Sequence, residues 1–300
     1  MNYLTIRGMI APQTILLSLF ITIIPIAFTF SQEVDTRDIE VPINYAYSNQ
    51  FDLGGYNIAG LNGRFLKIPV GYTFWVGEDD KIGLKVKTTF FYGKYRFTIN
   101  EESGRITADI DTLSVIPGLE LIIPVKEGNN WRWLLKPFTE IGFGWKFNID
   151  EPTGIDISVP VNFIYNVGIK SLFYYYWKDF TFGIGNQLSY AGNGTFDFDF
   201  HSSFALLRNG IDIKHPLGFS IKGFSPDASV FFIHYFFLPE VDLARIEREE
   251  LEVDHQFQIA FTVGSAKPFK LLFFNNPRIG IGYLFGDGVK ALTVNFGFPY

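Results

Sequence analysis

The chain has 300 residues, no cysteine, 34 Phe and 15 Tyr, and a formal net charge of −6. The absence of cysteine excludes a disulfide framework, a thiolate metal centre and a lipidated N-terminal cysteine. The modest negative charge argues against a nucleic-acid partner, and the aromatic content with only two Met points to strands and interfacial belts rather than helices.

Residues 1–31 read as a signal peptide. Arg7 precedes an apolar run from Thr14 to Phe30 that Pro25 interrupts, and Thr29 and Ser31 put small side chains ahead of a cut before Gln32. The run also approaches the lower limit of a membrane span, about 17 residues, but Pro25 and the strand-rich remainder favour export. Residues 32–63 read as a short periplasmic or lumen-entering segment. Glu33, Asp35, Asp38 and Glu40 make it acidic, Tyr45 and Tyr47 follow, and the pattern predicts a strand near 41–47 and no pore helix. The Gly- and Asn-rich stretch 51–63 predicts a turn or a strongly bent strand.

From residue 64 to 300 one strand follows another, with no repeat and no second domain. Period-two alternation over 64–76, 81–97, 106–125, 131–147, 155–177, 180–191, 196–204, 257–263 and 278–285 predicts strands with one apolar face, and 228–238 reads as a strand apolar on both faces. The opposing face is mostly Gly, Ala, Ser, Thr and Gln with occasional charges, as suits a hydrated lumen better than a soluble surface. Strands in hydrocarbon must close on themselves, and single-chain bacterial barrels take even numbers. The predicted fold is therefore all-β, a transmembrane antiparallel up-and-down barrel of about 12 strands. The aromatic end of 155–177 predicts an interfacial belt, and 239–254 a charged loop.

The last stretch, 290–300, sets Leu292, Val294, Phe296, Phe298 and Tyr300 against Ala291, Thr293, Asn295, Gly297 and Pro299. It predicts a strand whose apolar face meets lipid, ending on an aromatic at headgroup level. The alternation also assigns Lys85, Lys87, Glu140, Lys146, Asp197, Asp199, His201, Gln256 and Gln258 to the lumen. Opposite charges there can pair and plug the barrel, or line a selective pore.

Two stretches carry a family resemblance: Pro137-Phe138-Thr139-Glu140-Ile141-Gly142-Phe143-Gly144-Trp145, and the hairpin from Gly280-Ile281-Gly282-Tyr283 through Gly286-Asp287-Gly288 to Tyr300. In them the chain resembles the β-barrel domain of autotransporters, in a solitary form without a passenger. The resemblance implies a Gram-negative outer-membrane barrel of 12 strands whose pore can hold a segment leading in from the N-terminus. The partners it implies are outer-membrane lipid and lipopolysaccharide, with the barrel-assembly machinery reading the terminal strand (Leu292, Val294, Phe296, Phe298, Tyr300) during biogenesis. The expected role is passage of small solutes, or structural and surface contact through loops.

A second resemblance is local. His201, Ser203 and Ala205 are similar to the His-x-Ser-Asn-Ala motif of lipid A deacylases, with Phe204 in place of the Asn. A lipid hydrolase must present its nucleophile to the bilayer, whereas the alternation puts His201 and Ser203 in the lumen. The expectation is a non-enzymatic protein, with the lipid hydrolase as the alternative. His215 reads as a turn residue beside Pro216, and His234 and His255 show no metal-ligand spacing. No cofactor motif is present.

Overall fold

The computed structural model describes residues 38–40, 43–58, 61–76, 82–101, 104–150, 156–158, 161–196, 201–221, 224–241, 253–267, 270–271, 274–275 and 278–300. The signal peptide expected over 1–31 lies outside the described residues, as do Asp197, Asp199 and most of the charged loop.

Twelve strands close into one antiparallel barrel in which every strand pairs with its neighbours in sequence. They are β1 (Leu53–Ile58), β2 (Leu61–Val76), β3 (Ile82–Glu101), β4 (Gly104–Gly128), β5 (Trp131–Asp150), β6 (Asn162–Trp177), β7 (Phe180–Thr195), β8 (His201–Pro216), β9 (Pro226–Val241), β10 (Val253–Ser265), β11 (Ile279–Gly286) and β12 (Val289–Asn295). The ring is sealed by β12 on β1, with Val289 opposite Ile58 and Val294 opposite Leu53. Tight turns at 129–130, 178–179 and 287–288 join long strands whose side chains alternate in and out. The barrel thus begins at Leu53 rather than at residue 64. The Gly- and Asn-rich stretch, predicted as a turn or a strongly bent strand, holds its first strand, short and hard to recognise because Gly54 and Gly55 remove the alternation.

The exterior is apolar over a defined height. On β2, Leu66, Ile68, Val70, Tyr72, Phe74 and Val76 face outward. That ten-residue rise is about 33 Å along the strand, and at a typical tilt of about 40° it spans about 25 Å of the barrel axis, the height of an outer-membrane apolar band. One rim of the band is aromatic, with Trp133, Tyr175, Tyr176 and Trp177 exposed, as predicted for the end of 155–177. Above the other rim the outward face of the β3–β4 hairpin turns ionic. Arg96 donates from Nε and Nη2 to the two Asp109 oxygens (2.7 and 2.9 Å), and Lys94 Nζ lies 3.2 Å from Asp109.

Residues 43–52, ahead of β1, lie inside the barrel. Residues 38–40 pair in parallel with 156–158, beside the β5–β6 connection. A single helical turn, α1 (Tyr45–Ser48), then sits in the lumen with all four residues buried. Asn44 caps it by accepting from the Tyr47 amide at 2.9 Å. Of the strand predicted near 41–47, Tyr45 to Tyr47 are instead helical. A strand there would need an edge to pair with, and the closed barrel leaves none free.

Candidate functional site

The lumen is the site this fold builds, and it is filled from both directions. From the N-terminal side, Tyr47 packs edge-on against Phe51, Phe204 and Phe237, and Phe51 stacks on Phe65 at 5.3 Å between ring centroids. Tyr47 Oη accepts from Gln256 Nε2, Tyr95 Oη donates to Ser48 Oγ at 2.8 Å, and Lys67 Nζ donates to the Asn49 carbonyl at 2.6 Å. Gln258 takes Tyr235 Oη on its oxygen (2.7 Å) and gives its nitrogen to Asp52 (2.9 Å). The Tyr45 ring occupies the space left by Gly144, where a Cβ would fall 2.5 Å from Tyr45 Cδ1. One glycine of the aromatic and glycine-rich strand therefore makes room for the plug.

From the other side the C-terminal stretch folds back into the barrel. Leu292, Val294 and Phe296 face outward, Leu292 being 68 % exposed. At Gly297 the chain turns with φ +109°, a conformation open to glycine at little cost. Phe298 and Tyr300 then point into the lumen, contrary to the expected lipid face. The Tyr300 ring lies against Gly185 and Gly210 and beneath the Arg208 guanidinium (4.8 Å to the ring centroid). Arg208 Nη2 donates to the Pro299 carbonyl at 3.1 Å, and Lys136 Nζ to the Tyr300 backbone oxygen at 3.1 Å. The strict period of two persists in the sequence only because the tail, once turned, needs large apolar groups for the lumen as well.

Between the two fillings lies a network of charges. Lys87 Nζ meets Glu140 Oε1 at 2.7 Å, Asn166 Nδ2 donates to Glu140 Oε2 at 2.6 Å, and Lys170 Nζ meets Glu120 Oε2 at 3.1 Å. Toward the β12 terminus Arg278 pairs with Asp227. Lys85, Lys87, Glu140, Gln256 and Gln258 thus face inward, and Lys146 lies in register with inward Thr112 at an exposed position. Glu120, Lys170 and Arg208 escaped the sequence reading. The signal was present, since each is a charge in the inward phase of its strand, but the cross-barrel partners are set by register and closure.

His201 faces outward, not into the lumen. Phe204, Leu206 and Arg208 are buried in the lumen, so the odd-numbered positions of β8 face the exterior. The phase extended from exposed Phe196 therefore does not carry into β8. Ser203 Oγ accepts from the outward Tyr190 Oη at 2.8 Å, and the His201 ring lies 6.4 Å from Phe163. His215 rests on Phe180 near the aromatic rim (4.4 Å between centroids). His234 and His255, unconnected in sequence, join Nε2 to Nδ1 at 2.9 Å with their rings 9° from coplanar. Among the described residues no group of three or more His, Asp or Glu converges as a metal site requires.

An exterior apolar to bilayer height around a polar, ion-paired lumen defines a membrane-spanning β-barrel. No protein-family model and no curated protein sequence matches the chain. Among solved structures it is similar to the translocator domain of the autotransporter NalP from Neisseria meningitidis, with a TM-score of 0.51 and 11 % identity, covering 80 % of this chain and 82 % of that one. It is also similar to the β domain of the Bordetella autotransporter BrkA, with a TM-score of 0.49 and 10 % identity over 82 % of this chain and 96 % of that one. The fold is that of an autotransporter translocator barrel.

Proposed function

We propose that this protein is an exported, non-enzymatic barrel of the Gram-negative outer membrane, closed at rest, that acts as a structural and surface-contact element rather than as a standing pore. The observation that carries the reading is the double filling of the lumen, by residues 43–52 from one side and 297–300 from the other, around the Lys87–Glu140 and Lys170–Glu120 pairs. The end carrying the ionic β3–β4 hairpin would face the medium. The outward row Leu292, Val294 and Phe296 would remain available to the barrel-assembly machinery. Solute passage would then require both fillings to move.

Planar-bilayer recording tests this. Folded protein, verified by its faster unboiled migration on a detergent gel, should leave the bilayer silent. A Tyr47→Ala, Phe51→Ala, Tyr300→Ala variant of equal gel behaviour should give discrete conductance steps. Stable steps from the parent protein would overturn the closed reading in favour of a pore.

The lipid hydrolase alternative gains support from one observation: His201 and Ser203 share the outer face, where a lipid substrate could reach them. Proton abstraction needs a base within hydrogen-bond reach of the nucleophile, and Ser203 Oγ is instead engaged by Tyr190. Ester hydrolysis by the parent that disappears in both Ser203→Ala and His201→Ala would establish the alternative.

A further inference from the structure

The exterior belt is not uniform around the barrel. On β2 the outward row from Leu66 to Val76 is apolar throughout, as are Phe257, Ile259, Phe261 and Val263 on β10. Across β6 to β9 a cross-strand row of hydrogen-bonding side chains interrupts the belt. Ser171 opposes Asn186, Asn186 opposes Asn209, and Asn209 opposes His234.

The two Asn of the row lie at mid-belt, not at a rim. Exposed Ile184 and Leu188 flank Asn186 on its strand, and exposed Leu207 and Ile211 flank Asn209. Its direction is fixed by the neighbours: Gln187 and Arg208 are buried in the lumen and hydrogen-bonded to each other at 2.6 Å, so Asn186 and Asn209 point outward. The two ends of the row are occupied, Ser171 Oγ by Trp133 Nε1 at 2.8 Å and His234 by His255 at 2.9 Å. Among the described residues the amides of Asn186 and Asn209 have no hydrogen-bond partner. Hydrocarbon offers them none, and an unsatisfied amide in lipid is unfavourable.

We propose that the outer face of β6 to β9 is an interface within the bilayer and that its occupant is a second copy of this chain. The Asn186 and Asn209 amides of one copy would meet those of the other about a two-fold axis along the membrane normal. Each amide carries two donors and an acceptor, so two identical patches satisfy one another, as a two-fold contact demands. The two amides belong to neighbouring strands about 4.8 Å apart, within reach of an equivalent pair. Copies inserted in the same sense hold their rows at the same depth. Neither Asn carries a charge, so a charged transmembrane helix of another protein would find no counter-ion in the pair. The inference rests on the membrane-barrel reading above.

The natural absence of cysteine gives a clean test. Full-length Asn186→Cys and Asn209→Cys variants, oxidised in their native membranes, should run as disulfide-linked products of twice the chain mass. Ile68→Cys, on the opposite, wholly apolar side, should stay monomeric. Asn186→Leu combined with Asn209→Leu should convert the detergent-extracted dimer to monomer by light scattering while keeping the faster unboiled migration. Equal crosslinking at Ile68→Cys, or a dimer that survives the double Leu variant, overturns the proposal. So does a crosslinked product of any other mass, which assigns the face to a different protein. A heat-modifiable barrel that never crosslinks defeats the dimer alone, whereas loss of heat-modifiability in the parent would defeat the membrane reading beneath it.

Discussion

Removing the acid from the Lys87–Glu140 pair probes the filled lumen most directly. Nζ and Oε1 are 2.7 Å apart, and Asn166 holds the other carboxylate oxygen at 2.6 Å. At an effective dielectric of about 20 the attraction at this distance is about 6 kcal/mol, much of it offset by the desolvation of two ions. Glu140→Leu removes one side only. It leaves the Lys87 ammonium, 13 % exposed, without its counter-ion and Asn166 without its acceptor, at a cost of about 3–5 kcal/mol. For a chain of this size that corresponds to a fall of roughly 10 °C in the unfolding midpoint. The assay is the fraction of fast-migrating band against temperature at a fixed heating rate. Lys87→Met together with Glu140→Leu removes both ions and should recover most of the loss, since apolar replacement of a buried pair is close to neutral. A single variant within about 2 °C of the parent, or a double variant worse than the single, would refute the reasoning.

Two further predictions concern the tail and the ionic rim. Gly185→Val places side-chain carbon where the Tyr300 ring now lies, with even a Cβ 2.5 Å from Tyr300 Cδ2. It should expel the tail and speed hydrogen exchange at the Phe298 and Tyr300 amides, and unchanged protection would mean that the tail does not depend on that contact. Above the belt, the hydrogen bonds from Arg96, with Lys94 beside them, hold the Asp109 carboxyl at about 2. A carboxyl depressed on folding contributes stability that is complete above its ordinary value of about 4 and is lost as pH falls through about 2. Arg96→Ala should therefore move the Asp109 titration upward, toward about 4, as followed by NMR. A titration that stays where it was would make Lys94 the controlling partner.

The sequence by itself determined the class of fold and the direction of most side chains. Period-two alternation at Ile82, Leu84 and Val86 against Gly83, Lys85 and Lys87 is a local property, because successive side chains of a strand must point to opposite sides. Twelve strands and a polar lumen followed from that rule and from the need to leave no backbone edge in lipid. Local rules failed where the phase was carried across a break. Phe196 faces out whereas Phe204, an even number of residues later, faces in, and one residue at φ +109° turned Phe298 and Tyr300 from the lipid into the barrel. The partners of Glu120, the helical turn at Tyr45–Ser48, the His234–His255 pair and the Asn186–Asn209 row were decided only by tertiary structure. Each depends on contacts between residues far apart in the chain, and their meeting depends on strand register and on the closure of β12 upon β1, which no single strand encodes.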